Sequence, residues 1–426
     1  MKKFKSLLSI LLSIMMIAAM IPFNGIVAFA AEDENKIELK WTAAAEEYPI
    51  EYFVDGERIG QFKISDAIIK IEVEVEDKTD AEGNTTKVYK NAVATLEKGI
   101  TLEGFVVDPA VTRFDLVIPD KGETIGDVVV TDEFKEKLKD VENVPATIPV
   151  NTDLSVVAIA DKAFAGIEEL VSVTLPADLD YIDDDELIYS FMGGSAFADC
   201  PLLETVDLGA LPVVSNSAFE NCISLANINW DRVVYVGANA FANCDSIVSA
   251  NLPKGVISVD QSAFANCDSL TEADIDAPII EDSVFEGCAQ LKEVSLGDSN
   301  PTIVGGLDNH YIGGKVVANC PSLEKVTIRE YVKSIGAEAF SGCVLLKTIN
   351  PGKRLISLGD NAFKGCEVLE EVIFDEAFAV LGNGAFADCI ALKKVDLNKD
   401  CVEIPDNAFA NCVALTEVGM STNTIS

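Results

Sequence analysis

Ser262-Ala-Phe-Ala-Asn-Cys267-Asp-Ser-Leu270 decides how the rest of the chain is read, because near copies of it recur from the second quarter of the sequence to its end. Aligned on the Phe, the copies fall at Phe164, Phe197, Phe219, Phe241, Phe264, Phe285, Val317, Phe340, Phe363, Phe386 and Phe409. The steps between them are 33, 22, 22, 23, 21, 32, 23, 23, 23 and 23 residues. Cys follows three residues after each anchor, at 200, 222, 244, 267, 288, 320, 343, 366, 389 and 412, and only the first copy departs, with Ile167. A fixed period of this length means stacked coils, each burying its apolar residues against its neighbours.

Two apolar rhythms alternate inside each unit. The first is L-x-x-V-x-L, as in Leu203-x-x-Val206-x-Leu208, Leu291-x-x-Val294-x-Leu296 and Leu392-x-x-Val395-x-Leu397. Its period of two predicts a strand with the second and third apolar residues inward. The other is V-x-x-I-G, as in Val332-Lys-Ser-Ile-Gly336 and Leu355-Ile-Ser-Leu-Gly359, which reads as a second short strand turning at Gly. The Ala-Phe-x-x-Cys segment is expected to form a brief helical turn. The fold class is thus mostly β with short helical turns: a leucine-rich repeat solenoid of about eleven coils, roughly 50 Å long at strand spacing.

Upstream the text changes. Ile69-Lys-Ile71-Glu-Val73-Glu-Val75-Glu alternates apolar and charged residues as a half-buried strand does, and Asp80-Ala-Glu-Gly-Asn84 supplies a turn before Lys87 to Thr95 returns. Ile37 to Trp41 and Ile50 to Val54 also read as strands. The expected partition is a signal peptide over 1–30, a small all-β N-terminal module over 31–112, and the solenoid with its N-terminal cap over 113–426. The module is either a free sandwich or a cap on the first coil. Phe114 to Pro119 echoes Thr174-Leu-Pro176 and opens the cap, and Asp132 to Lys139 reads as a short amphipathic helix.

Residues 1–30 carry the signs of export: Lys2, Lys3 and Lys5, an apolar run from Leu7 to Ile21, and small residues at Ala28 and Ala30 before cleavage at Ala31. The expected location is secreted or cell-surface. The net charge of −38 argues against nucleic acid and anionic lipid, and favours basic protein surfaces or divalent cations, unless it serves solubility alone. Eleven cysteines in an exported chain usually mean disulfides. Here ten share one repeat position, which reads as a ladder of free, buried thiols, and no C-x-x-C pair suggests zinc.

The pattern resembles the BspA-type leucine-rich repeats of bacterial surface proteins. Ile335-Gly-Ala-Glu-Ala-Phe-Ser-Gly-Cys343 with Leu346, and its copies, carry the resemblance, which extends from about 114 to 420. It implies an exported protein, adhesin-like in some members, with no shared catalytic residue.

Outward positions of the first strand are short and polar with no aromatic side chain, which favours a protein partner over a stacked sugar. Two units carry inserts of about ten residues, one with Asp183, Asp184, Asp185, Tyr189 and Phe191, the other with His310 and Tyr311. Exposed aromatics beside Gly193-Gly194 and Gly313-Gly314 suit a contact site, and inserts often mark the binding face. The rival reading is that the inserts only widen a coil. His310 is the single histidine, and no nucleophile elbow, zincin or phosphate-loop motif is present, so no enzyme, no cofactor and no metal site is expected. The expectation is a non-catalytic binding protein engaging extracellular or host-surface proteins. Its alternative is a self-assembling surface component, associating through the open coil after Met420.

Overall fold

The structure is a computed structural model. It describes residues 25–30, 36–42, 50–55, 57–65, 68–80, 83–98, 100–118, 127–129, 135–136, 141–145, 147–148, 156–177, 182–183, 186–187, 192–299, 310–375, 377–401 and 403–420. Among them no helix is long and apolar enough to cross a membrane. Of the expected helix at Asp132 to Lys139 only Lys135 and Glu136 are described, and both are helical; Asp132 lies outside.

The L-x-x-V-x-L rhythm forms the first ladder of parallel strands, in three pieces. Phe114–Val117, Leu170–Thr174, Thr205–Asp207 and Asn227–Asn229 pair in that order. Ser249–Asn251 through Thr348–Asn350 make the second piece, and Glu371–Ile373, Lys394–Asp396 and Glu417–Gly419 the third. In Lys325–Ile328 the burial alternates as the sequence requires, with Val326 and Ile328 inside. The V-x-x-I-G rhythm forms the second ladder, an eight-stranded parallel sheet from Val213–Val214 to Val380–Leu381. Register is strict from coil to coil: Tyr235 pairs with Ser258, Ser258 with Ile279, Ile279 with Tyr311, and Tyr311 with Ser334. The chain is a mostly β leucine-rich repeat solenoid.

The Ala-Phe-x-x-Cys segment differs from the expected helical turn. It makes two tight turns, each containing a residue in the left-handed region. One lies two residues before the anchor: Lys162, Ser195, Ser217, Asn239, Ser262, Ser283, Lys315, Glu338, Asn361, Gly384 and Asn407. The other lies two residues after it: Gly166, Asp199, Asn221, Asn243, Asn266, Gly287, Asn319, Gly342, Gly365, Asp388 and Asn411. This backbone turns alternate N–H groups toward the next coil. Lys162, Phe164 and Gly166 donate to Gly194, Ala196 and Ala198 at 2.8–2.9 Å, and Ser195, Phe197 and Asp199 donate to Asn216, Ala218 and Glu220 at 2.8–2.9 Å. A helix would keep those donors within its own coil, so the stack gains a third hydrogen-bonded row.

The core runs through the coils as a spine of rings. Phe164, Phe197, Phe219, Phe241, Phe264 and Phe285 stack at centroid spacings of 5.0–5.6 Å, and Phe340, Phe363, Phe386 and Phe409 repeat this at 5.0–5.6 Å. Val317 interrupts the series, with Val316 beside it where most coils have Ala.

The N-terminal strands form two sheets. One contains Gly25–Ala30, Lys36–Thr42, Ile68–Thr79, Thr85–Lys98 and Val141–Glu142. Its hairpin turns as expected, with Gly83 at φ +88° and Asn84 N–H donating to the Asp80 carboxylate at 2.8 Å. Gly25–Ala30, read from sequence as the end of a signal peptide, pairs antiparallel with Lys36–Thr42; residues 1–24 lie outside the described residues. The other sheet contains Ile50–Val54, Glu57–Ser65 and Ile100–Val107, and continues by parallel pairing into Val156–Ile159. Ile159 in turn bridges to Met192, in line with the second ladder. This second sheet meets the first coil through ring contacts and a hydrogen bond. Phe62 and Phe105 meet Phe164 at 6.3 Å, and the Tyr52 hydroxyl accepts from Val117 N–H at 3.0 Å on the first strand of the first ladder.

Candidate functional site: two sheet faces of opposite character

Each sheet ladder presents its outward side chains to solvent, and the two faces are chemically unlike. On the first face the charges neutralise one another from coil to coil. Lys325 meets Glu293 at 3.1 Å, Lys347 meets Glu324 at 2.7 Å, Lys393 meets Glu370 at 2.8 Å, and Lys394 lies between Glu371 and Glu417 at 3.3 and 4.0 Å. Arg329 reaches across to Asp274 and Asp276, and donates to the Ile275 carbonyl at 2.7 Å. Toward the N-terminus the same face is held by amide-to-carboxylate hydrogen bonds, with Asn229 Nδ2 donating to Asp207 at 3.1 Å and Asn251 Nδ2 to Glu272 at 3.1 Å.

The second face carries Val213, Tyr235, Ser258, Ile279, Tyr311, Ser334, Ser357 and Val380 at its outward positions. The position just after each inward residue is Gly in most coils, because a side chain there would strike the previous coil. A Cβ on Gly359 would lie 2.5 Å from Ala337 N, and one on Gly313 would lie 2.4 Å from Glu281 C. Three coils depart from this rule: Ser215 turns its hydroxyl back onto the Met192 carbonyl, and two adjacent coils carry acids, Asp260 and Glu281. Tyr235 donates its hydroxyl forward to Asp260, and Tyr311 donates its hydroxyl back to Glu281. Ser258 Oγ donates to the other Asp260 oxygen at 2.9 Å. The two phenols therefore converge on two neighbouring carboxylates. Burial, followed by the adjoining carboxylate, pushes both phenol pKa values up, so both hydroxyls stay protonated as donors. Among the described residues neither Asp260 nor Glu281 has a cationic partner.

The residues expected from the inserts separate. Tyr311 is half-buried in the second ladder rather than in an exposed loop, because Ile312-Gly313 aligns with Ile335-Gly336 of the regular repeat. His310, expected as a binding residue of the second insert, is 3% exposed, with Nδ1 at 3.5 Å from Asp298 and its ring 6.1 Å from Tyr331. Asp183 sits in Ile182–Asp183, paired with Glu186–Leu187. Asp184, Asp185, Tyr189 and Phe191 lie outside the described residues. Gly193-Gly194 likewise belongs to the coil, with Gly194 N–H donating to Asp161 at 2.6 Å. Tyr235, Asp260 and Glu281 were not singled out by the sequence reading. The signal for them is the loss of Gly in Ile257-Ser-Val-Asp260 and Ile279-Ile-Glu281.

Residues 146–190, 190–306 and 310–426 match the BspA type Leucine rich repeat region, in six copies. Among solved structures, the chain is similar to a leucine rich cell surface protein from Faecalibacterium prausnitzii at 20% identity, covering 89% of this chain and 97% of that one with a TM-score of 0.32. It is similar to a leucine-rich repeat protein from Bacteroides ovatus at 20% identity, covering 82% and 98% with a TM-score of 0.28. The pneumococcal vaccine antigen PcpA is similar at 15% identity, covering 83% and 87% with a TM-score of 0.39. A comparison with curated proteins found no match.

Proposed function

This chain belongs to the BspA-type leucine-rich repeat family, and on that premise we propose that it is an exported, non-catalytic binding protein, adhesin-like, that meets extracellular or host-surface proteins through its coils. The observation that carries this reading is the length and continuity of the outward faces. Eight strands in one parallel sheet, and three runs of strands in the other, offer long rows of solvated side chains at fixed spacing. Stacked repeats of this kind use such surfaces for protein partners. Export rests on the charged, apolar and small-residue order of residues 1–30. The high negative charge supports a partner with a basic surface.

The test is capture. The full chain, immobilised after purification from an exporting host, is exposed to extracellular-matrix and cell-surface proteins. Specific capture of a protein that elutes as a defined complex supports the reading. A folded chain that captures nothing, but grows in size with its own concentration in light scattering, replaces it with the self-assembling alternative.

A further inference from the structure

We propose that the second sheet face between Tyr235 and Tyr311 docks an extended, lysine- or arginine-bearing segment of the protein partner, with one cationic side chain seated against Asp260 and Glu281. This deepens the binding-protein reading and rests on it.

Three observations converge on this face. The first is the broken stacking rule. At a position where neighbouring coils hold Gly against a close backbone approach, two consecutive coils hold carboxylates instead. Departures from a fold's own local rules concentrate at functional sites. The second is charge accounting. The acids Glu293, Glu324, Glu370 and Glu371 of the first face each have a lysine from an adjacent coil, whereas the side-chain donors to Asp260 and Glu281 among the described residues are hydroxyls. Both carboxylates are half-buried, where an attraction is screened less than at an open surface. Exposed Asp282 adds a further negative charge beside them, accepting from Gly314 N–H at 2.6 Å.

The third is the apolar character of the surrounding rows. Val213 and Ile279 are half-buried at outward positions, and Val380 stands exposed farther along the same sheet. Three strand steps separate Tyr235 from Tyr311, roughly 14 Å at strand spacing. Tyr235 leans toward the C-terminal coils and Tyr311 toward the N-terminal ones. Their rings therefore flank the carboxylates, and Ser258 beneath is only 6% exposed. A cation there meets two carboxylates and two aromatic rings together, while its apolar neighbours in an alternating segment find Val213 and Ile279. An acidic peptide would bring like charge against the carboxylates.

The test uses the full chain and a fluorescein-labelled peptide alternating lysine and valine, followed by anisotropy. Asp260→Asn with Glu281→Gln keeps both hydrogen-bond acceptors and is expected to weaken binding by tenfold or more. Asp231→Asn with Glu367→Gln removes the same charge at exposed positions elsewhere and is expected to weaken it by less than twofold. Equal losses in the two pairs would mean diffuse attraction to an acidic protein and would overturn the proposal. Ile279→Lys places the chain's own cation beside the carboxylates and is expected to block the peptide, with thermal unfolding confirming that the variant is folded. Undiminished peptide binding by folded Ile279→Lys would equally overturn it. Extracellular capture that persists in Asp260→Asn/Glu281→Gln would leave the binding-protein reading standing while removing this site from it.

Discussion

Cysteine at the third place after each anchor is small enough for the crowded interior, but Ala would be smaller still. What the thiol adds is a donor. The anchor carbonyl of each coil faces the next coil's sulfur, and the S–H donates to it: Cys222 to Phe197 at 3.1 Å, Cys267 to Phe241 at 3.2 Å, Cys389 to Phe363 at 3.0 Å. Even where the anchor is Val317, Cys343 makes the same bond at 3.1 Å. All eleven thiols are free, and only Cys412 is half-buried rather than buried. Alkylation of the native protein followed by mass spectrometry should therefore label Cys412 first, with the full set reacting only after unfolding. A native protein whose sulfurs resist alkylation even when unfolded would be oxidised, against this structure. Burial pushes Cys244, Cys288, Cys343 and Cys389 up to about 12. The folded state thus holds these protons more tightly than the unfolded chain, whose thiols titrate near 8.5. Their contribution is complete below that value and is lost as pH rises from about 9 toward 12. Urea midpoints should be nearly level between pH 7 and 8 and fall steadily above 9, more so than in a variant with two of these cysteines changed to Ala.

At the level of one coil, the feature that closes the turn is a pair of left-handed residues around the anchor. An L-residue with a branched or bulky side chain resists that conformation, while Asn, Asp and Gly accept it. Asn243 holds φ +60° and adds a side-chain row, donating to Asn221 at 2.8 Å and accepting from Asn266 at 3.1 Å. Asn243→Ala should lose about 1–2 kcal/mol through the backbone conformation and the cut amide row together. Asn243→Gly, which keeps the backbone relaxed, should lose less, and chemical denaturation would rank the two. A reversed ranking would mean that the extra unfolded-chain entropy of Gly outweighs the relief of the left-handed backbone. This element also marks the limit of what could be read in advance. Period and apolar rhythm were legible because Phe, Cys and Leu return at constant offsets, and both sheet ladders follow from them. The left-handed pair was not read, since Ser, Asn and Lys share its first position and no single residue type announces it. Tyr311 was assigned to an insert because the ten extra residues before it obscured its place in the second ladder. Tyr235 was passed over because outward positions were traced along the first strand only. The carboxylates of that face were hidden for another reason: two acids among 70 mean something only once the glycine they replace is known to touch the previous coil.

Over the whole molecule the coils act as a line in which each holds only its neighbours, so the continuity of the interior matters more than any single contact. The ring spine is broken once among the described residues, at Val317, where Val316 stands beside it in place of the Ala of most coils. Val317→Phe alone should overpack this layer and lower stability by about 1–3 kcal/mol. Val316→Ala with Val317→Phe restores the Ala-Phe pair of most coils and should recover most of the loss, as paired denaturation curves would show. The far N-terminal end has its own arrangement. Phe62 is fully buried, 4.8 Å from Phe105 and 6.3 Å from Phe164, so the end of the spine is covered by rings from another sheet. Truncating that ring removes a large apolar side chain at the junction, and Phe62→Ala should lose about 3–5 kcal/mol locally. In a line of coils such a loss does not spread evenly. Amide exchange should quicken in Ile100–Val107, Val156–Ile159 and Leu170–Thr174, while Lys325–Ile328 and Glu371–Ile373 keep their protection. Uniform acceleration along all the coils would mean instead that the molecule opens as one cooperative unit, with its N-terminal sheets and its repeats folding or failing together.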